Sequence, residues 1–200
     1  WLVNAHSKEL NMRTVVIGSG SWGTALAQVL QDNHQEVLVY GVAEAEVNDI
    51  NENHKNSKYF GDVELNPELK ATTDIQCVKG ADIVLLAVPT IAIDPICHQI
   101  NDILDKKTII INVSKGFHPE TNERMSEVIR RCIDEDKLSS VVSLIGPSHA
   151  EEVVIRLLTT IDAISLNNED AVTVQNLFSN QYLRIYTGND EIGSELGVAI

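Results

Sequence analysis

Basic residues are scarce in this chain: 15 Lys and Arg stand against 29 Asp and Glu, a formal net charge of -14. Proteins that hold nucleic acid cluster Lys and Arg against the phosphates, so this balance opposes a nucleic-acid partner. An acidic whole can still hold an anion at a local site. Cysteine is rarer still. Cys77, Cys97 and Cys132 lie far apart, form no C-x-x-C pair and have no histidine at zinc spacing, so neither a metal site nor a disulfide framework is expected. Such residues pack as reduced small hydrophobes, which suits a cytoplasm. Long apolar runs are lacking too. None reaches the length of a membrane span, and residues 1–11 have no apolar core of the signal-peptide kind, so they are expected to be an extension or tag-like segment. What the chain does have is bulk: 44% hydrophobic residues in 200 are enough for one sizeable core and the start of a second domain.

The most informative stretch is Gly18-Ser19-Gly20-Ser21-Trp22-Gly23, which follows the apolar run Thr14-Val15-Val16-Ile17 and opens an amphipathic segment. Its spacing is G-x-G-x-x-G. Gly18 permits a tight turn out of a strand, Gly20 lets backbone approach a pyrophosphate, and Gly23 lets helix pack closely on strand. The free N–H groups and positive dipole end of the helix then favour an anion. Ala25, Leu26, Val29 and Leu30 recur at helical spacing, and Glu36 to Tyr40 reads as a second strand, which completes a β-α-β unit. Gly41-Val42-Ala43-Glu44 follows, with no acid at the usual place for NAD and no Arg for NADP, so the cofactor is NAD or NADP.

Farther on, Ala43 to Asn53 reads as one helix, and Tyr59 and Phe60 either anchor a long loop or touch cofactor. Asp82 to Val88 is a continuous apolar run, the signature of a strand covered on both faces, and Pro89 stops it. Thr108 to Val113 repeats the pattern and ends in Ser114-Lys115-Gly116. Ligands sit beyond the carboxyl ends of parallel strands, which makes Pro89 and Lys115 candidate site residues. A third such strand runs into Gly146-Pro147-Ser148-His149-Ala150-Glu151-Glu152-Val153, where Ser148 and Glu151 have capping-box spacing and His149 is a weak candidate base. Two further strands flank a helix from Asp170 to Phe178, and Asn189-Asp190 can cap a last helix. The expected fold is α/β: a Rossmann-like, doubly wound, mostly parallel sheet with helices on both faces over residues 12–190. Residues 191–200 would begin a helical domain whose remainder is missing.

Taken together, the glycine turn, Val88-Pro89-Thr90, Ser114-Lys115-Gly116, the segment from Gly146 to Val153 and Tyr182-Leu183-Arg184-Ile185-Tyr186 resemble the N-terminal domain of bacterial-type NAD(P)-dependent glycerol-3-phosphate dehydrogenase. The resemblance runs from Met12 to Ile200. It implies reversible oxidation of sn-glycerol 3-phosphate to dihydroxyacetone phosphate, feeding phospholipid synthesis, and a homodimer of the full-length protein. It also implies that Ser21 and Trp22 touch cofactor, that Val42 lies by the adenine ribose, and that Ala150 is near the nicotinamide. Lys115 would contact cofactor and substrate and act in catalysis; Gly146 and Ser148 would contact substrate. Two departures stand out. The family's proton-acceptor lysine follows a Glu-Leu-Gly-Gly-Ala run, whereas here Glu195-Leu196-Gly197-Val198-Ala199-Ile200 ends first, and Leu158 stands where the family has proline. By itself the chain is therefore expected to bind cofactor and turn over little. The alternatives are a non-catalytic dinucleotide-binding module and a dehydrogenase of another hydroxy acid.

Overall fold

The computed structural model describes residues 12–199; the extension expected at residues 1–11 lies outside them. Eight strands form one sheet in the order β3-β2-β1-β4-β5-β6-β7-β8. They are β1 (Thr14–Ile17), β2 (Val37–Tyr40), β3 (Lys70–Thr72), β4 (Ile83–Leu86), β5 (Thr108–Asn112), β6 (Leu138–Ile145), β7 (Thr159–Ile164) and β8 (Leu183–Gly188). The first six are parallel, β7 runs antiparallel to β6, and β8 is parallel to β7. The order 3-2-1-4-5-6 is that of the doubly wound dinucleotide fold, with its switch point between β1 and β4. The connection from Ile145 to Thr159 contains only the five-residue helix α6 (Ala150–Val154), too little for the helical crossover that parallel pairing needs.

Helices cover both faces, so β1 and β4 are buried at every residue. On one face α1 (Ser21–Asp32) and α7 (Asn168–Phe178) contribute Leu26, Leu30, Val174 and Phe178 to a cluster with Val16 and Leu85. On the other, α4 (Thr90–Asn101) and α5 (Met125–Cys132) pack Ile93, Ile100, Val128 and Ile129 against Ile17, Val84 and Ile110. Cys97 and Cys132 belong to that second cluster and Cys77 packs against it; all three are free thiols. Burial pushes Cys77 and Cys132 each up to about 11 and Cys97 higher, so these thiols stay protonated and inert. No helix among the described residues is long and apolar enough to cross a membrane.

The single helix expected over Ala43 to Asn53 is instead α2 (Glu44–Asn48), then one π turn (Asp49–Asn53) ending at His54 in the left-handed region (φ +54°). A second short helix, α3 (Ser57–Phe60), follows. The last helix, α8 (Glu191–Ala199), starts where expected, with the Gly193 N–H donating to Asp190 Oδ1 at 2.9 Å.

Asp32, at the end of α1, ties the added strands to the rest. It accepts two bonds from Arg156 (2.8 and 3.0 Å) and one from the Tyr182 hydroxyl (2.8 Å). Burial alone would raise its pKa, but bonds from Arg156, Tyr182 and Asn66 outweigh it and hold the carboxyl below its ordinary value. A depressed carboxyl contributes stability that is present above the unfolded value near ~4 and is lost as pH falls through the lower folded value. Asp32→Asn is therefore expected to lose about 1–2 kcal/mol at pH 7, discounted for the exposed Arg156. The loss should shrink as the pH of a urea-unfolding series drops below 4.

Candidate functional site

The site is built where the parallel strands end. Gly18 turns the chain out of β1 with φ +115°, a value that disfavours any side chain, and an added Cβ would collide with the Ala87 carbonyl oxygen. Gly23, in the first turn of α1, would drive a Cβ into the Gly18 carbonyl oxygen and to 3.2 Å from the Ala87 side chain. Gly20 differs, because nothing lies within 4 Å of a Cβ placed there. Two of the glycines thus serve packing, and the middle one keeps space open. Gly23→Ala is expected to cost about 1–3 kcal/mol, a melting fall of roughly 3–10 °C for a domain of this size. Gly20→Ala should leave melting unchanged and weaken NADH binding about tenfold or more; scanning fluorimetry with and without NADH separates the two effects.

Beyond the turn lies a cleft of about 620 Å³. The loops after β1, β4, β5 and β6 converge on it and bring together Gly20, Ser21, Trp22, Pro89, Lys115, Ser148 and Ala150. Of the two aromatics considered, Tyr59 lines the cleft and Phe60 is buried in the core. Val42 is 84% exposed beyond the end of β2 and is not among the lining residues. His149 lines the cleft as the residue that caps α6.

Lys115 is exposed, and its ammonium donates to the Gly146 carbonyl at 3.1 Å. The loop beneath it is held by Ser114, whose hydroxyl donates to the Val88 carbonyl at 2.5 Å and whose N–H donates to Asn112 Oδ1 at 3.1 Å. The β4 and β5 loops are thereby locked to each other. Gly146 is buried and packs on Ile161 of β7, so closely that a Cβ would lie 2.8 Å from that side chain. Trp22, Lys115, Gly146 and Ser148 also surround a small recess at the floor of the cleft.

The capping box expected from Ser148 and Glu151 does not form. His149 is the cap residue, α6 begins at Ala150, and no side chain bonds the cap N–H groups. Ser148 is 5% exposed, and its N–H is already held by the Gly146 carbonyl at 3.0 Å, so it is closed to the Glu151 carboxylate that a capping box would bring to it.

Two functional-looking residues escaped the sequence. Glu46 of α2 reaches the glycine turn, where its carboxylate accepts from the Ser19 hydroxyl at 2.5 Å and from Lys58 Nζ at 2.6 Å. Burial opposes its ionisation, but those bonds outweigh burial and hold its pKa below the ordinary value. An acid does therefore stand beside the turn, contributed by the helix after β2 rather than by the strand end. Asn56 approaches from beneath and donates to the Ser19 carbonyl and to Thr24 Oγ1, both at 2.8 Å. Neither a polar residue on a five-residue helix nor one in a loop carries a periodicity that would reveal these contacts. Elsewhere Asp94, His98 and Cys132 present ligand atoms within 4.8 Å of one another, but the Arg131 guanidinium already fills that place, donating to Asp94 at 2.8 Å.

Residues 13–172 match the model of the family described as the N-terminus of NAD-dependent glycerol-3-phosphate dehydrogenase. The chain belongs to that family. It is 47% identical over 189 residues to a glycerol-3-phosphate dehydrogenase [NAD(P)+] of Listeria innocua, covering 94% of this chain and 56% of that protein. It is 45% identical over 190 residues to the enzyme of the same description from Macrococcus caseolyticus, covering 94% and 57%. The crystal structure of a glycerol-3-phosphate dehydrogenase from Coxiella burnetii superposes with a TM-score of 0.86 at 27% identity, over 94% of this chain and 57% of that one. The chain thus spans about half the length of the glycerol-3-phosphate dehydrogenases it matches. These agreements bear out the resemblance and the Rossmann-like fold expected from the sequence, and they mark the cofactor class as NAD(P).

Proposed function

We propose that the chain is the cofactor-binding part of an oxidoreductase that interconverts sn-glycerol 3-phosphate and dihydroxyacetone phosphate with NAD or NADP, in the cytoplasm and without a nucleic-acid partner. The observation that carries this reading is the convergence on one cleft of the glycine turn, the start of α1, Lys115 and Ser148. Family membership supplies the reaction, the net charge of -14 supports the absence of a nucleic-acid partner, and three free thiols suit a reducing compartment.

The residues fit a dinucleotide. Gly20 leaves open the space that a Cβ would take, and the first hydrogen bond of α1 runs from Thr24 N–H to the Gly20 carbonyl, so the N–H groups of Ser21, Trp22 and Gly23 in its first turn are free for an anion. Hydride exchange with a secondary carbon is the chemistry a nicotinamide supplies when bound. In this reading Gly18, Gly20, Ser21, Trp22, Gly23 and Pro89 seat the cofactor, Val42 stands by the adenine ribose, and Ala150 by the nicotinamide. Lys115, with Gly146 and Ser148, holds the substrate oxygens and offers a positive charge to the oxygen that becomes negative. Residues 12–190 form the dinucleotide-binding domain, and α8 opens a second, helical domain that carries the proton acceptor.

Fluorescence titration of the chain with NADH tests the first half: saturation below millimolar cofactor is expected, and no saturable change would overturn it. In the full-length protein, dihydroxyacetone phosphate should drive NADH or NADPH oxidation at ~1–1000 per second. Activity toward another keto substrate, with none toward dihydroxyacetone phosphate, would overturn the substrate assignment.

A further inference from the structure

We propose that Asn56 is a positioning residue that aims the Gly20 N–H at the diphosphate of the bound dinucleotide. The inference rests on the dinucleotide reading above and concerns a residue that lies outside the glycine motif.

The Ser19 carbonyl and the Gly20 N–H belong to one peptide unit. In a trans peptide the two point in opposite directions, and the described residues contain no cis bond. Whatever holds the Ser19 oxygen therefore sets the direction of the Gly20 hydrogen. That oxygen is held from within by Asn56 Nδ2 at 2.8 Å and by Thr24 Oγ1 at 3.3 Å. Gly20 lines the cleft on the opposite side. A glycine turn is the most pliable element in a chain, so pinning one peptide plane removes freedom that binding would otherwise have to remove.

Asn56 itself carries a sign of this role. A carbonyl oxygen can only accept, so the amide nitrogen must face Ser19, and the orientation of the side chain follows. Its Oδ1 is then left without a hydrogen-bond partner although Asn56 is 1% exposed. A residue that served packing alone would not bury an unpaired oxygen, because that arrangement disfavours the fold. What the position retains is the donor. The hydroxyl of Ser19 is held separately by Glu46, itself bonded to Lys58, so the segment from α2 to α3 grips residue 19 at its carbonyl and at its hydroxyl.

The test uses the full-length protein and three ligands: NADH, ADP and adenosine, the last of which lacks phosphate. Asn56→Leu should bind NADH and ADP about tenfold or more weakly, in line with the loss of one well-aimed bond to a charged group, while adenosine affinity stays within twofold. Melting should shift by no more than about 4 °C. Asn56→Asp, which keeps the shape but turns an acceptor toward Ser19, should show the same pattern. Should both fail to fold, Thr24→Val removes the second donor and should give a smaller loss confined to the same two ligands. Equal weakening of adenosine and NADH, or unchanged NADH binding, would overturn the proposal. If the unmutated protein binds none of the three, the dinucleotide reading falls and this inference with it.

Discussion

Replacing Lys115 by Met in the full-length protein is expected to lower turnover of dihydroxyacetone phosphate by about 10²- to 10³-fold. NADH affinity should change less than tenfold. Lys115 projects from the loop after β5, its ammonium rests on the Gly146 carbonyl at 3.1 Å, and both residues border the recess that holds Trp22 and Ser148. A carbonyl satisfies one of three ammonium donors, which leaves two for ligand oxygens. The loop cannot swing freely, because Ser114 is bonded to both Val88 and Asn112. The charge is therefore presented in place before the reaction, the condition under which an electrostatic contribution is largest. Methionine keeps the length of the stem and removes the charge. Steady-state kinetics with both substrates checks the prediction: a fall in kcat/KM below tenfold would mean that Lys115 is a solvated surface charge.

The second large effect concerns α8. Glu191 and Glu195 are 3% and 6% exposed, a costly place for two carboxylates. Arg124 compensates both, at 3.3 Å from Glu191 and 2.9 Å from Glu195. Arg130 adds a bidentate pair to Glu191 at 2.6 and 2.7 Å, and Ser126 donates to Glu195 from its N–H and its hydroxyl at 3.0 and 2.6 Å. Burial pushes the pKa of Glu191 upward, but the bonds from Arg130, Arg124 and Ser126 outweigh it, so the carboxyl stays charged. Arg124→Leu leaves two buried charges under-compensated and is expected to cost about 3–5 kcal/mol. Melting should fall by roughly 6–15 °C. Amide exchange in α8 should quicken first, since this network docks that helix on α5. The double variant Arg124→Leu with Glu195→Leu removes the orphaned charge and should regain most of the loss. Failure of the double variant to recover would show that the network contributes through shape rather than charge.

Physical rules of short range made much of this protein legible from its residues. The G-x-G-x-x-G turn was readable because each glycine answers a backbone demand within six residues. The apolar run before Pro89 reported a strand covered on both faces, and β4 is buried throughout. Lys115 was readable only as a consequence of topology: a lysine carries no signal of its own, but a lysine at the carboxyl end of a parallel strand does.

What stayed hidden depends on contacts between distant segments. The antiparallel turn of β7 and the start of α6 one residue past the expected cap are not encoded in any local pattern. Nor is the grip of Glu46 and Asn56 on Ser19, separated from it by 27 and 37 residues. The amino-acid sequence by itself determined the layers, the strand ends and the glycine turn, because periodicity and backbone sterics act within a few residues. Only the tertiary structure decided what holds that turn in its binding shape, because a hydrogen bond between remote residues exists only once the intervening chain has folded.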